Sequence, residues 1–332
     1  PILTGLGRGL GGTLEPALAA ASDRDRRRLA AVFASEAAIA GDSDSPVPLR
    51  IEAVQIVALS ERSYALPTLL DLASADDQAV RLAAVEALGK FRGDDRIAPA
   101  LLDGFEAQTP AVRSAILTAL LADPGRAMQV IDAVEAGEVS AAELGAARIN
   151  AFSKHRDAAV RERAKTVFVP PADRQKVLAE YSKVHGMTAD ANRGKAIFEK
   201  HCATCHRIAG FGTQVGPDIA DSRTRTPEAL LTDVLDPNRA IDGRYVAFSV
   251  VLKDGTVQTG LIVSETANAV TLAQPEGKSL TLLRDQIDLL HSDGVSLMPV
   301  GLEKSIPPQD MADLISFIKN WRYLDGAVPL AE

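Results

Sequence analysis

Cys202-Ala203-Thr204-Cys205-His206 contains both cysteines of the chain. Two thiols separated by two residues, with an imidazole directly after them, form the pattern of a c-type haem attachment site. Each thiol adds across one haem vinyl group. The spacing suits two neighbouring vinyls, and His206 then lies under the iron as its proximal ligand. Two other chemistries use a Cys-x-x-Cys pair. A thioredoxin-like redox pair wants a βαβ context, and the flanking sequence offers none. A zinc site needs four ligands, usually from a second Cys or His pair at similar spacing, and no second pair exists. The expected cofactor is therefore one haem c, covalent through Cys202 and Cys205.

The elements around the motif must hold it. Residues 192–203 read as a helix that Asp190 or Asn192 can cap, with Gly194 and Phe198 one turn apart on one face. A last helix is expected over 308–323, with Leu314, Phe317, Ile318 and Trp321 as an apolar stripe. Gly216-Pro217-Asp218-Ile219 follows the motif by about ten residues. The candidates for a sixth iron ligand are Met187, His201, His291, Met298 and Met311, and an open position is the remaining alternative. Here the chain resembles the class I cytochrome c fold. The resemblance implies that Gly194 and Phe198 let the last helix cross closely. It also implies that the Pro217 carbonyl accepts from the proximal histidine, fixing its ring. A loop methionine followed by proline ahead of the last helix fits Met298 as distal ligand, with His291 as its rival. Arg223, Arg225, Arg239 and Arg244 are the candidates to reach the haem propionates by charge-assisted pairs; ordinary surface ion pairs are the alternative use for each.

His206 and Met298 are 92 positions apart, and most of the excess lies at about 245–290, which alternates like strands. Turns are expected at Lys253-Asp254-Gly255-Thr256 and at Gly277-Lys278. About five short strands in a meander suggest a small β-barrel-like insertion. A cytochrome c core interrupted after Asp236-Pro237-Asn238-Arg239 and resumed at Leu297-Met298-Pro299-Val300-Gly301-Leu302 closely resembles the planctomycete/verrucomicrobial (Pirellula-type) haem-binding domain. That resemblance covers about 190–323. It implies that helical repeats, and in many members a propeller-like dehydrogenase domain, precede the haem domain.

From about 14 to 185 the sequence is helical and repetitive. Leu49-Arg50, Val80-Arg81, Val112-Arg113 and Val160-Arg161 each open an alanine-rich apolar face. The first three arginines are 31 and 32 residues apart, and the fourth follows after 48. Helical spacing within a unit and a longer fixed period between units mark a solenoid. The region resembles HEAT-type repeats, with units shorter than the commonest length. The recurrent Arg and Asp residues are expected to make ladders between repeats. The glycine run at residues 1–13 lacks the preceding strand and following helix of a phosphate-binding loop. The expected fold is mostly α: a HEAT-like α-solenoid over 1–185, then a class I cytochrome c fold over 186–332 carrying the insertion.

A net charge of −8 argues against nucleic acid and anionic membrane surfaces as partners. No apolar run reaches the length of a spanning helix. Covalent haem attachment takes place outside the cytoplasmic membrane, so a periplasmic or otherwise extracytoplasmic bacterial location is expected. A chain that starts at Pro1 reads as processed or trimmed, its export signal lost. The expected function is a c-type cytochrome module that passes single electrons from a dehydrogenase to a downstream acceptor. The alternatives are the haem-bearing C-terminal part of a sugar or alcohol dehydrogenase, and a haem peroxidase or redox sensor with an open distal site. A docking protein built on the repeats is a third class.

Overall fold

The computed structural model describes residues 14–324. The glycine run at 1–13 lies outside the described residues. By internal contacts the chain divides into two compact units, Pro1–Val139 and Ser140–Glu332.

The first unit is helical: α1 Glu15–Ala20, α2 Asp23–Gly41, α3 Val47–Val57, α4 Arg62–Leu72, α5 Gln78–Leu88, α6 Ile97–Leu102, α7 Pro110–Leu121 and α8 Ala127–Ala136. α3, α5 and α7 pack side by side, and each carries one of the periodic arginines. Their facing residues are small or branched: Ala53 and Val54, Ala84 and Val85, Ile116 and Leu117, all buried. No single helix pair could cover these faces, so each repeat depends on the next.

The arginines serve the backbone. Arg50 Nε donates to Ala40 O at 3.0 Å, and Arg81 Nε to Ala75 O at 2.9 Å. Arg113 stacks over the Phe105 ring at 4.4 Å. Ladders about one repeat long do exist: Arg81 makes one, its Nη1 donating to Gln108 Oε1 at 2.5 Å, and other residues carry the rest. Gly93 N donates to Asp123 Oδ2 at 2.7 Å, Arg62 Nη2 to Arg92 O at 2.7 Å, and Gln78 Nε2 to Thr109 Oγ1 at 3.0 Å. Ala40, buried at the end of α2, has a carbonyl that needs a donor, and Arg50 supplies it.

The second unit begins with α9 Gly145–Ser153, α10 Ala158–Val167 and α11 Ala172–Tyr181. This stretch, placed with the repeats when the sequence is read alone, packs within the second unit. Ile241 N donates to Ala142 O at 2.8 Å, Ser292 Oγ to Glu143 Oε1 at 2.7 Å, and Arg174 Nη2 to Glu303 Oε1 at 3.1 Å. There follow α12 Ala191–His201, the short hairpin β1 Arg207–Ile208 with β2 Phe211–Gly212, and α13 Pro227–Leu235. Next come β3 Val246–Leu252, β4 Val257–Glu265, β5 Ala269–Gln274, β6 Lys278–Leu283 and β7 Ile287–Ser296, then α14 Pro308–Asn320.

The five longer strands form one antiparallel sheet in the order β6-β5-β4-β3-β7. β3 to β6 are the expected meander; β7 then returns to pair on the free side of β3, with Phe248 opposite Ser292. The sheet is open, with β6 and β7 as its edges, and is not the barrel-like closure suggested by the strand count. It buries one face, with Phe248, Val250, Val270 and Leu272 around Ala142 and Ile241. One covered face leaves the sheet no reason to curl shut.

α12 and α14 cross in close contact. Phe198 and Phe317 meet there with ring centroids 5.5 Å apart, among buried Met311, Leu314 and Ile318. Asp190 caps α12, accepting from Asn192 N at 2.8 Å. The crossing is tied by Asp313, fully buried on α14. Its carboxylate accepts from Asp190 N at 2.7 Å, Arg193 Nε at 2.7 Å, Arg193 Nη2 at 3.0 Å and Gln309 Nε2 at 3.2 Å. Burial acts to raise the Asp313 carboxyl. The Arg193 bond and the other donors outweigh it, and the group sits below the usual carboxylate range.

A carboxyl depressed in the folded state stabilises it fully above the unfolded value, about 3.9, and loses that contribution as pH falls through the folded value. Asp313→Asn is therefore expected to destabilise the second unit at neutral pH by about 1–3 kcal/mol, the usual effect of unbalancing a buried hydrogen-bonded charge. The difference from the parent should shrink as pH drops below about 4. Urea titrations at pH 7 and pH 3 check this, and a pH-independent difference would contradict it.

Candidate functional site

α12 ends where the haem motif begins. Cys202 N and Ala203 N both donate to Phe198 O, at 2.8 and 3.0 Å, so the helix terminates with its last carbonyls satisfied. The motif then turns on itself. Cys205 N and His206 N donate to Cys202 O at 3.1 and 2.8 Å. The β1–β2 hairpin brings the chain back, and Thr213 N donates to Ala203 O at 2.9 Å. Val215 N and Gly216 N both donate to Cys205 O, at 3.0 and 2.8 Å.

That return path makes a seat for one imidazole. His206 Nδ1 lies 2.9 Å from Pro217 O. A carbonyl only accepts, so Nδ1 carries the proton, and Nε2 keeps its lone pair. Nε2 has no hydrogen-bond partner among the described residues. Gly216 lies against the ring: a Cβ there would stand 2.6 Å from His206 Cε1 and 3.0 Å from Nδ1. Burial pushes the imidazole below its ordinary value, against the opposing effect of the Pro217 hydrogen bond. The ring is thus neutral near pH 7, oriented, and offers one nitrogen, which is what a metal requires of histidine.

The cysteines are unpaired. Burial, with a smaller push from Cys205, holds the Cys202 thiol at about 12. Such a thiol is no thiolate nucleophile for disulfide exchange, which weakens the thioredoxin-like alternative. Two thiols and a neutral imidazole on one short loop fit a covalently held haem.

Among the distal candidates, Met311 is fully buried in the α12–α14 core and Met187 packs against it. His201 is the last residue of α12. His291 sits on β7 opposite Ser249, exposed, on the face turned away from the sheet's core. Met298 lies in the bend that follows β7. Ser296 Oγ accepts from Met298 N at 3.1 Å, and Asn238 Oδ1 accepts from Ser296 N at 2.8 Å. The Asp236–Arg239 turn therefore anchors the start of the Met298 loop.

The arginine candidates separate. Arg223 Nε is buried without a hydrogen-bond partner, an orphaned donor that an anionic group would satisfy. Its loop is clamped by α14, whose Lys319 Nζ donates to Arg223 O and Arg225 O, each at 2.6 Å. Arg225 already pairs with Asp233 at 2.8 Å, and Arg244 pairs with Asp242 at 2.9 Å. Arg239 is exposed beside the Asp236 turn.

The HEAT-repeat family matches residues 35–121, and the cytochrome c family matches residues 191–261. The chain carries HEAT repeats followed by a cytochrome c region. The matched region contains Cys202 and Cys205 and supports a haem c electron-transfer module. No curated protein matches the chain. The cytochrome c match runs from the start of α12 into β4, so the rest of the sheet, Met298 and α14 lie beyond it.

Several residues of the cytochrome region escape a reading by motif. Asp313 is one, with a partner 120 positions away. Asn238 is another, although it sits in a quoted turn, because its task is to hold an amide 58 positions on. Thr213 and Glu276 act on the motif's own backbone; Gly277 marks the Glu276 turn in the sequence, but nothing there shows that the turn reaches the motif.

Proposed function

We propose that this chain is an extracytoplasmic cytochrome of the Pirellula type that takes single electrons from a dehydrogenase and passes them to a downstream acceptor. The observation that carries the reading is the His206 seat: a neutral, partly buried imidazole with Nδ1–H on the Pro217 carbonyl and Nε2 free, directly after two unpaired thiols. The haem supplies the one-electron iron couple. The chain's residues would hold it: Cys202 and Cys205 by thioether bonds, His206 and Met298 as iron ligands, and Arg223, whose Nε is unpartnered, as a donor to a propionate. Arg225 would serve the propionates only by leaving Asp233. A thioether ligand favours reduced iron and raises the potential, which suits an acceptor of electrons from a dehydrogenase. The HEAT repeats supply a surface on which a redox partner protein docks.

The test is an optical spectrum of the full chain, matured in a host that attaches haem c, in both oxidation states and with added carbon monoxide. A low-spin spectrum with the weak far-red sulfur–iron band is expected, and Met298→Ala should abolish that band. High-spin iron that takes carbon monoxide readily in the parent would point to the peroxidase or sensor alternative. Absence of haem absorbance would overturn the reading.

A further inference from the structure

Among the described residues, one backbone hydrogen bond joins the sheet to the haem motif. In the β5–β6 turn, Pro275–Gly277, Glu276 N donates to Thr204 O at 2.8 Å. Thr204 stands between the two cysteines, two residues before His206. The same carbonyl accepts from Thr213 Oγ1. Elsewhere in the motif, Cys202 O, Ala203 O and Cys205 O are satisfied by backbone between Ala203 and Gly216. Thr204 O alone among these receives a backbone donor from the sheet, from a residue beyond the stretch that matches the cytochrome c family.

The turn is shaped for this contact. Glu276 has φ 66°, in the left-handed region although it is not glycine. Residues with side chains hold that conformation only where their surroundings impose it, and such positions gather at functional sites. Burial does not impose it here: Pro275, Glu276 and Gly277 are all exposed. The sheet's core is elsewhere, around Phe248, Val250 and Leu272. The register on either side is regular, with Gln274 opposite Lys278. Outside, the Glu276 carboxylate pairs with Lys278 at 2.9 Å, which leaves its backbone N–H turned to the motif.

We propose that the β5–β6 turn is a strap that positions the haem-attachment loop, with the Glu276 backbone N–H and the Thr213 hydroxyl as the positioning groups. The inference rests on the haem reading of the motif and deepens it: the sheet becomes part of the haem site. Two donors on one carbonyl fix the peptide between the thioether positions. A fixed peptide there limits the swing of His206, and loosening it would admit more water to the attachment loop. Solvent exposure and ligand orientation set the potential of a haem, so loosening the strap lowers it.

Three measurements on the full-length haem protein test this. In the parent, hydrogen exchange at the Glu276 amide should be at least about tenfold slower than at an open turn amide, and comparable with Gly216. Glu276→Pro removes the donor and cannot hold φ 66°, so it releases the whole turn and should lower the potential by about 30–59 mV, a three- to tenfold change in the ferric-to-ferrous ratio for one electron. Glu276→Gly keeps the donor and relaxes φ, and should leave the potential at the parent's value. Thr213→Val removes the hydroxyl and should shift the potential in the same direction by less. If Glu276→Pro fails to mature, the exchange rate and Thr213→Val decide. A fast-exchanging Glu276 amide, or a Glu276→Pro protein with the parent's potential, overturns the strap. A parent chain that takes up no haem overturns the haem reading itself, and the Glu276 exchange rate still reports whether the contact exists.

Discussion

Gly194→Ala is expected to unfold the cytochrome region, or to leave it too unstable to retain its spectrum. A Cβ at Gly194 would stand 1.9 Å from Asp313 O, 2.5 Å from Asp313 C and 2.8 Å from Phe317 Cβ. The first two are backbone atoms of α14, so no rotamer change relieves the overlap. The helices would have to separate by more than an ångström at their closest point. Separation there would strain Asp190 N and Arg193 on Asp313, and part the Phe198 and Phe317 rings. Overpacking a close-fitting core usually destabilises by about 1–3 kcal/mol. With backbone as the obstacle and a buried carboxylate unseated, a loss above about 3 kcal/mol is expected, since stripping partners from a buried charge alone reaches 3–5. Urea denaturation followed by haem absorbance and circular dichroism measures it. A midpoint equal to the parent's would mean that α12 and α14 do not cross as described.

The crossing also shows how much of the fold is legible in the sequence. Gly194, Phe198 and the stripe Leu314, Phe317, Ile318 have helical spacing, and short-range pattern reveals such faces. The strands are legible for the same reason, because alternation and the Asp254-Gly255 turn are local. The openness of the sheet is not local. It follows from β7 pairing with β3 rather than with β6, and strand periodicity carries no information about partner choice. The boundary between the two units is hidden in the same way. Residues 145–181 have the helical texture of the repeats, yet Tyr181 Oη lies 2.9 Å from Glu303 O and 3.0 Å from Ile306 O. The periodic arginines were readable as a repeat mark, but their targets were not. A guanidinium that binds a carbonyl ten residues back, as Arg50 does, looks in one dimension the same as Arg81, which binds a carbonyl six residues back and also reaches Gln108 in the next repeat.

At the haem motif the chemistry is legible and its support is not. Cys202, Cys205 and His206 announce themselves by type and spacing. Thr204 is the least conspicuous residue of the five, yet its carbonyl is where the sheet takes hold. Main-chain contacts of this kind leave no side-chain signature, and only the unusual φ of Glu276 marks the place.

Gly216→Ala brings the same steric logic to His206, the proposed iron ligand. The added Cβ would stand 2.6 Å from His206 Cε1, 3.0 Å from Nδ1 and 3.2 Å from Nε2, so it would press on the ring across its width. Neither party can yield freely. The Gly216 backbone is held by its own N–H on Cys205 O at 2.8 Å, with Val215 N on the same carbonyl at 3.0 Å. The ring is held by Nδ1–H on Pro217 O at 2.9 Å. One of the two hydrogen bonds has to be given up, and the ring is the softer element, since only side-chain torsions oppose its rotation. Rotation would detach Nδ1–H from Pro217 O and turn Nε2 off the position it holds for the iron. An imidazole that loses this partner is a weaker, unoriented ligand, and loss of such a supporting bond weakens metal binding by about 10- to 100-fold. The variant is therefore expected to show high-spin ferric iron, a lower potential and ready uptake of exogenous imidazole. If Met298 is the second ligand as proposed, Met298→Ala leaves the His206 seat intact, so in the reduced state it should keep the histidine–iron signature in resonance Raman spectra that Gly216→Ala loses. A Gly216→Ala protein with the parent's low-spin spectrum and potential would show that His206 does not occupy the seat described.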